Sequence, residues 1–368
     1  MNFKISQKLL YKNINIVQKG VSNRSTLPIL TGILVEAYDG KLKLTGTDLE
    51  LGIVTTLECE VIKEGSFVID SKLFGEIIRK LPDLPIEIYV DNDNYAHINC
   101  DNSNFKIKVQ PAIEYPKLPM IDDSKCLSIS KDILKSMIRK TVFATSTDDF
   151  RPVLTGELFE LYDNEIALVA IDQYRMAYKK IPINNDGNIK IVIPGKTLVE
   201  INKILENIEE DIKISIASNH ILFHLGNTSI TSILIEGEFI NYKDIVRNEY
   251  NSKVIVKTKD VQESIERASL LAKEGNNNLI KFEIVDDKMT ISSNSEMGFV
   301  QEEVPITLDG DDLTIAFNSK YILDGLKVIE SEKIVMNFIN NVNPCIIKPI
   351  SDENYIYLVL PVRIPTEL

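Results

Sequence analysis

Three lysines, Lys72, Lys196 and Lys320, hold the same place in three copies of one segment: FVIDSKLFGEIIRKL at 67–81, IVIPGKTLVEINKIL at 191–205 and IAFNSKYILDGLKVI at 315–329. An acid follows each lysine four residues on (Glu76, Glu200, Asp324) and a base seven residues on (Arg79, Lys203, Lys327). Positions four and seven apart lie on one face of a helix, so each copy carries cation, anion and cation along a single stripe. Such a stripe can neutralise the charges of a polyanion, and it offers nothing that would break or transfer a bond. A lone helix of this kind is usually a solvated face with i,i+4 ion pairs worth roughly a few tenths of a kcal/mol each. Recurrence at three equivalent positions, in a chain with a formal net charge of −13, points instead to a shared surface.

Other arrangements that could support chemistry are weaker. His220 and His224 alternate with Ile221, Phe223 and Leu225 in an expected strand and so face one side, but no third metal ligand accompanies them. Asp48 and Asp172 are equivalent positions of a repeat, so they belong to different domains and cannot form one acid/base pair. No phosphate-binding loop, GxSxG elbow or dinucleotide fingerprint is present. Neither a catalytic site nor a cofactor or metal is expected. The four cysteines (Cys59, Cys100, Cys126, Cys345) are scattered without a CxxC pair, which predicts free thiols in a reducing compartment. The N-terminal MNFKISQKLLYKN has no apolar core of a signal peptide, and no apolar run is long enough to span a bilayer. A cytoplasmic protein with no membrane contact is expected.

The elements that must position the lysines repeat with them. The steps from 67 to 191 and from 191 to 315 are both 124 residues, too long for a solenoid unit and right for a domain. TGILVEA (31–37) matches TGELFEL (155–161), with IKFEIVD (280–286) as the third copy. LTGTDLEL (44–51) matches LVAIDQYR (168–175), then TISSNSEM (290–297). The connectors EYPKLP (114–119) and EFINYK (238–243) also correspond, and with the polar runs after them they place domains at 1–125, 126–251 and 252–368. Each domain opens with an amphipathic helix: Leu9, Leu10, Ile14 and Val17 mark the first, Ile133, Leu134, Met137, Ile138 and Val142 the second, and TKDVQESIERASLLAKEG (258–275) is the third. These helices add Lys8, Lys12, Lys131, Lys135, Arg139, Lys259 and Arg267. The lysine-bearing helix is the second of each domain, entered through Asp70-Ser71, Pro194-Gly195 or Asn318-Ser319, residues that cap or start helices. Its apolar side in the first copy is Leu73, Phe74, Ile77, Ile78 and Leu81. The remainder alternates with period two, so an α+β fold is expected, with two helices on antiparallel sheets three times over.

Size then suggests a use. Two chains would supply twelve helices, and at roughly 9–10 Å spacing they close a ring about 35 Å across at the helix axes. Removing one helix diameter of about 10 Å leaves roughly 25 Å, wide enough for a B-form duplex, whose groove depths sum to about 16 Å. A cationic lining would follow phosphates without reading bases.

RSTLPIL (24–30), LTGTDLEL (44–51), FRPVLTGELFE (150–160), AIDQYRMA (170–177), IVIPGKTLVE (191–200) and YLVLPVR (357–363), in this order on a threefold repeat, resemble the bacterial sliding clamp family, the beta subunit of DNA polymerase III, over essentially the whole chain. The resemblance implies a head-to-tail homodimeric ring, not an enzyme, that encircles double-stranded DNA without sequence preference. It also implies that the ring tethers the replicative polymerase alpha subunit, the clamp loader, repair polymerases, ligase and mismatch-repair proteins through short linear motifs. It places Arg24, Arg151 and Lys196 near DNA; the repeat adds Lys72, Arg79, Lys203 and Lys320. The peptide groove it implies comprises Leu154, Ile171, Tyr174, Arg175, Met176, Ile240, Ile245, Val342, Pro344, Leu358, Leu360, Pro361, Val362 and Arg363. The dimer contact would pair Phe105 of one chain with Leu270 and Leu271 of the other. Tyr174, Ile240, Asp244 and the extension 364–368 depart from the family's pattern, which bears on motif preference.

Overall fold

The protein is described by a computed structural model, covering residues 1–22, 27–119, 121, 126–148, 150–185, 187–206, 210–246, 249–274 and 278–363. Among the described residues there are six α-helices and twenty-five strands, with every strand pairing antiparallel. The first third contains β1 (Asn2–Ser6), α1 (Gln7–Val17), β2 (Gly32–Tyr38), β3 (Lys41–Thr47), β4 (Leu51–Glu58), β5 (Glu60–Lys63), β6 (Gly65–Asp70), α2 (Ser71–Lys80), β7 (Pro85–Val90), β8 (Tyr95–Cys100) and β9 (Ser103–Lys108). The middle third contains β10 (Cys126–Ile129), α3 (Lys131–Thr141), β11 (Gly156–Tyr162), β12 (Glu165–Ile171), β13 (Arg175–Pro182), β14 (Ile189–Pro194), α4 (Gly195–Leu205), β15 (Ile212–Ile216), β16 (His220–Leu225) and β17 (Thr228–Ile233). The last third contains β18 (Ser252–Lys257), α5 (Thr258–Glu274), β19 (Leu279–Val285), β20 (Lys288–Ser295), β21 (Gly298–Gly310), β22 (Leu313–Asn318), α6 (Ser319–Leu326), β23 (Lys333–Phe338), β24 (Cys345–Pro349) and β25 (Tyr355–Val359). The expected α+β class with two helices per repeat is present.

The compact units do not follow the repeat. One unit is Met1–Leu134 with Val199–Leu234, the other Lys135–Leu198 with Ile235–Leu368. The reason lies in the sheets, which run across the repeat boundaries. In the first unit β17 adds to β4, from Thr228↔Thr55 to Ser232↔Leu51, making one eight-stranded sheet. In the second, β25 adds to β13, from Arg175↔Val359 to Lys179↔Tyr355, within a twelve-stranded sheet. Both seams carry buried polar contacts. Thr228 Oγ1 donates to Thr55 Oγ1 (3.2 Å), which donates to Asn13 Oδ1 (2.9 Å). At the other seam Lys179 and Lys140 both meet Asp352, at 2.7 and 2.9 Å.

Local chemistry explains the lysine-bearing helices. The Asp70 side chain accepts from the Leu73 N–H (2.8 Å) to start α2, and the Asn318 side chain accepts from the Lys320 N–H (3.0 Å) to start α6. Phe74, Ile77 and Ile78 are buried beneath α2. Leu73 departs from the expected apolar side: it is 44% exposed, because it sits at the edge of the stripe beside Lys72. Leu9 and Ile133 are likewise exposed, at the margins of α1 and α3.

Two alignments of the third copy are corrected by the pairing register. Gly32↔Asp70, Gly156↔Pro194 and Leu279↔Asn318 are equivalent pairs, so TGILVEA corresponds to residues 278–284, two earlier than expected. Leu34↔Thr45, Leu158↔Val169 and Lys281↔Ser292 likewise make Leu44 and Leu168 the counterparts of Ile291, one residue later than expected. A one-residue slip exchanges the faces of a strand; the corrected register restores a buried residue, Ile291, to the core position.

Candidate nucleic-acid and partner-binding surfaces

The second helices present their cations outward. Lys72, Glu76 and Arg79 are exposed on α2, Lys196 and Lys203 on α4, and Lys320 on α6. Lys72, Arg79 and Lys320 make no ion pair among the described residues, whereas Lys203 Nζ lies 2.7 Å from Glu200 Oε1. The interposed acids are not a uniform set of i,i+4 partners. Glu200 serves Lys203, three residues on, and Asp324 serves Arg175. Arg151 is exposed beside Phe150; Arg24 lies outside the described residues.

The first helices differ. Lys8 pairs with Asp83 (2.5 Å), Lys259 with Glu263 (3.6 Å) and Arg267 with Glu302 (2.7 Å), and Arg139 contacts Glu330. Much of their charge is balanced in place, whereas Lys72, Arg79 and Lys320 on the second helices stay outside any ion pair among the described residues. One cation escaped the sequence reasoning. Lys19 lies 3.7 Å from Glu200 Oε2, while Lys203 meets Oε1 of the same carboxylate, and partial burial lowers the Lys19 pKa despite that carboxylate. Its counterpart at the 124-residue step is Phe143, so the repeat gave no signal for it.

The residues expected to form a groove all lie in the second unit. Leu154, Ile171, Met176 and Leu358 are buried in one apolar cluster with Ile245 packed against it. Ile245, Pro344 and Leu358 line a cavity of about 270 Å³ together with Asp244, Ile339, Asn343 and Ile346. Val342, Val362 and Arg363 line a second, of about 290 Å³, with Ile315, Ala316 and Asn341. Ile240 and Leu360 are partly exposed large apolar residues, and Pro361 is half-buried. The final strand's continuation is held by the Leu360 N–H donating to the Tyr174 carbonyl (2.8 Å) and the Val362 N–H to that of Ala316 (2.8 Å).

Tyr174 and Arg175 behave differently from one another. The Tyr174 ring is half exposed and stacks on Tyr321, with centroids 5.5 Å apart. The Arg175 guanidinium is nearly buried, held by Asp172 (2.9 Å), Asp324 (2.7 Å) and the Phe143 carbonyl (2.9 Å), and it lies over the Tyr321 ring. It therefore anchors the wall on which Tyr174 stands. Tyr321, invisible to motif reading, completes that wall. Asp48 and Asp172 play matching roles, each accepting from two backbone N–H groups of its own turn (Glu50 and Leu51; Tyr174 and Arg175). His220 and His224 bond to Asn219 and Ser229.

In the first unit Phe105 is exposed on β9; in the second, Leu270 is 65% exposed on α5 and Leu271 is half-buried near Gly298. Met297 and Phe299, on either side of Gly298, are also exposed. Among the described residues β9 pairs only with β8, and β21 over Gly298–Glu302 only with β20. No helix of the described residues is long and apolar enough to cross a membrane, and the four cysteines are free thiols.

Comparison with known proteins gives matches along the chain. The N-terminal, central and C-terminal domain models of the DNA polymerase III beta subunit match residues 1–119, 128–241 and 243–363. A beta sliding clamp of Staphylococcus aureus is 37% identical over 374 residues, covering 99% of both chains. Among solved structures, a DNA polymerase sliding clamp from Bacillus subtilis superposes with a TM-score of 0.95 at 36% identity over 99% of each chain. A putative DNA polymerase III beta subunit from Eubacterium rectale gives 0.95 and 36%, covering 99% of this chain and 100% of its own.

Proposed function

The chain belongs to the DNA polymerase III beta subunit family, and from that premise we propose that two copies join head to tail into a ring that encircles double-stranded DNA. The observation that carries this reading is a pair of sheet edges left unfilled among the described residues. Register makes β9 the counterpart of β17 and β25, and makes Gly298–Glu302 the counterpart of Leu51–Thr55 and Arg175–Lys179. Within the chain, β17 fills the edge of β4 and β25 fills the edge of β13. By the same rule β9 of one copy fills the β21 edge of the other, and the reciprocal pairing closes the assembly. Unpaired edges are costly to leave open. Lys106 and Lys108 on β9 face an edge bearing Glu302 and Glu303, and Phe105 meets Leu270, Leu271 and Phe299.

Three functional modules, with boundaries near 125 and 252, then supply the second-helix cations Lys72, Arg79, Lys196, Lys203 and Lys320, with Arg24, Arg151 and Lys19, to the phosphates. The protein works in the cytoplasm as a non-catalytic processivity factor of DNA replication. The groove residues around the 270 Å³ and 290 Å³ cavities receive short apolar peptides from the polymerase, the loader and repair proteins. Tyr174, braced by Arg175 and Tyr321, shapes the groove's preference. The decisive experiment loads the protein onto circular DNA and then linearises it. Retention on the circle and release from the ends is expected; equal release from both would refute encirclement. Lys196→Glu is expected to weaken DNA association and loading while leaving the dimer intact, and unchanged salt-dependent association would remove that residue's role.

A further inference from the structure

The second module fills a site that the first leaves open. In the second module, Tyr242 is buried against Tyr178, ring centroids 5.4 Å apart, and its hydroxyl donates to Glu160 Oε2 at 2.7 Å. Lys243 stands 3.3 Å from the same oxygen. Register makes Glu36 the counterpart of Glu160 and Val54 the counterpart of Tyr178. The aligned connectors put Leu118 at the place of Tyr242. Two tyrosines are thus replaced by smaller side chains, and a cavity of about 510 Å³ lies there, lined by Leu34, Glu36, Thr45, Val54, Ile113 and Leu118 among others.

The open site keeps its polar floor. Among the described residues, neither Glu36 Oε2 nor Thr45 Oγ1 has a hydrogen-bond partner, though both are buried, and Thr45 is only 4% exposed. Lys43 Nζ lies 3.1 Å from Glu36 Oε2, but no directed hydrogen bond forms. Lys43 thus takes the part that Lys243 plays beside Glu160. At the cavity's edge Ile113, a large apolar residue, is 92% exposed. We propose that this cavity receives a tyrosine side chain from an extended segment of a partner protein, its phenol donating to Glu36 as Tyr242 donates to Glu160. Lys43 and Lys117 on the lining favour acidic residues on either side of that tyrosine. The site lies within the first unit and owes nothing to the groove of the second.

The test uses the full-length protein with labelled Ile, Leu and Val methyl groups, titrated with acetyl-Asp-Tyr-Asp-amide. Shifts at Leu34, Val54, Ile113 and Leu118 are expected, with the Asp-Phe-Asp peptide roughly fivefold weaker for want of one hydrogen bond. Glu36→Gln should weaken the tyrosine peptide and leave the phenylalanine peptide unchanged. The double variant Val54→Tyr/Leu118→Tyr, which installs the second module's own occupants, should abolish both. No shift at these methyls at millimolar peptide, equal binding of the two peptides, or binding untouched by both Glu36→Gln and the double variant would overturn the site. Free p-cresol binding as well as the peptide would overturn the partner-segment assignment.

Discussion

Glu157 is the residue least expected from the fold. Its register counterparts are Ile33 and Ile280, and all three are fully buried on equivalent strands. Glu157 Oε2 lies 2.7 Å from Thr141 Oγ1, whose oxygen is also 2.8 Å from the Met137 carbonyl. A hydroxyl has one hydrogen; if Thr141 gives it to Met137, the other contact requires a protonated carboxyl as donor. Burial pushes the Glu157 carboxyl up to about 8, against the hydrogen bond with Thr141, and Oε1 has no hydrogen-bond partner among the described residues. A carboxyl whose folded pKa is raised binds its proton more tightly folded than unfolded. The stability it retains is therefore fully present below about pH 4.5 and is lost as pH rises through about 8. Urea unfolding should show Glu157→Gln and Glu157→Ile losing less stability than the parent between pH 5 and 8.5, by on the order of a few kcal/mol. Parallel pH profiles would mean the carboxyl is already ionised in the folded protein. The sequence shows Glu157 in TGELFEL, but only pairing register shows that it replaces a core isoleucine.

At the scale of elements, the strand end at 355–363 does two jobs. Tyr355–Val359 completes the sheet across the repeat boundary, and the next residues clasp Tyr174 and Ala316 through single backbone hydrogen bonds. Ending the chain before Leu360 removes the clasp and the last apolar residues of the proposed groove while sparing β25. Binding of polymerase-derived peptides should be lost with the dimer and the thermal transition preserved; normal peptide affinity would remove the groove assignment. The helix pattern and most strands were legible because both depend on local periodicity. The third copy's register was not. A slip of two residues leaves the alternation of IKFEIVD unchanged, so no pattern of burial in the sequence could reveal it. Leu73 was misplaced for a related reason: on a ten-residue helix the stripe's edge depends on what packs beside it.

For the molecule as a whole, the proposed closure rests on the two edges left unfilled among the described residues. Phe105→Glu puts a carboxylate where the partner's Leu270 and Glu302 would sit. It should give a folded monomer in sedimentation at micromolar concentration, one that no longer stays on circular DNA. A persistent dimer would move the interface elsewhere, and a monomeric parent would count against the ring itself. The expected domain limits at 125 and 252 remain the functional division we propose. The compact units cut across them because hydrogen bonding between β4 and β17, and between β13 and β25, ties each module to its neighbour.

By itself the sequence determined the repeat, the α+β class, the helix faces with their lysines and the family resemblance, since each is written in composition and spacing along the chain. Tertiary structure alone decided which cations are already neutralised, that Arg175 is an anchor, that Tyr321 backs Tyr174, and that the first module keeps an open cavity where the second holds two tyrosines. Those facts depend on which residues distant in the chain come within a few ångströms. Such proximity is fixed by strand register and packing rather than by any local pattern.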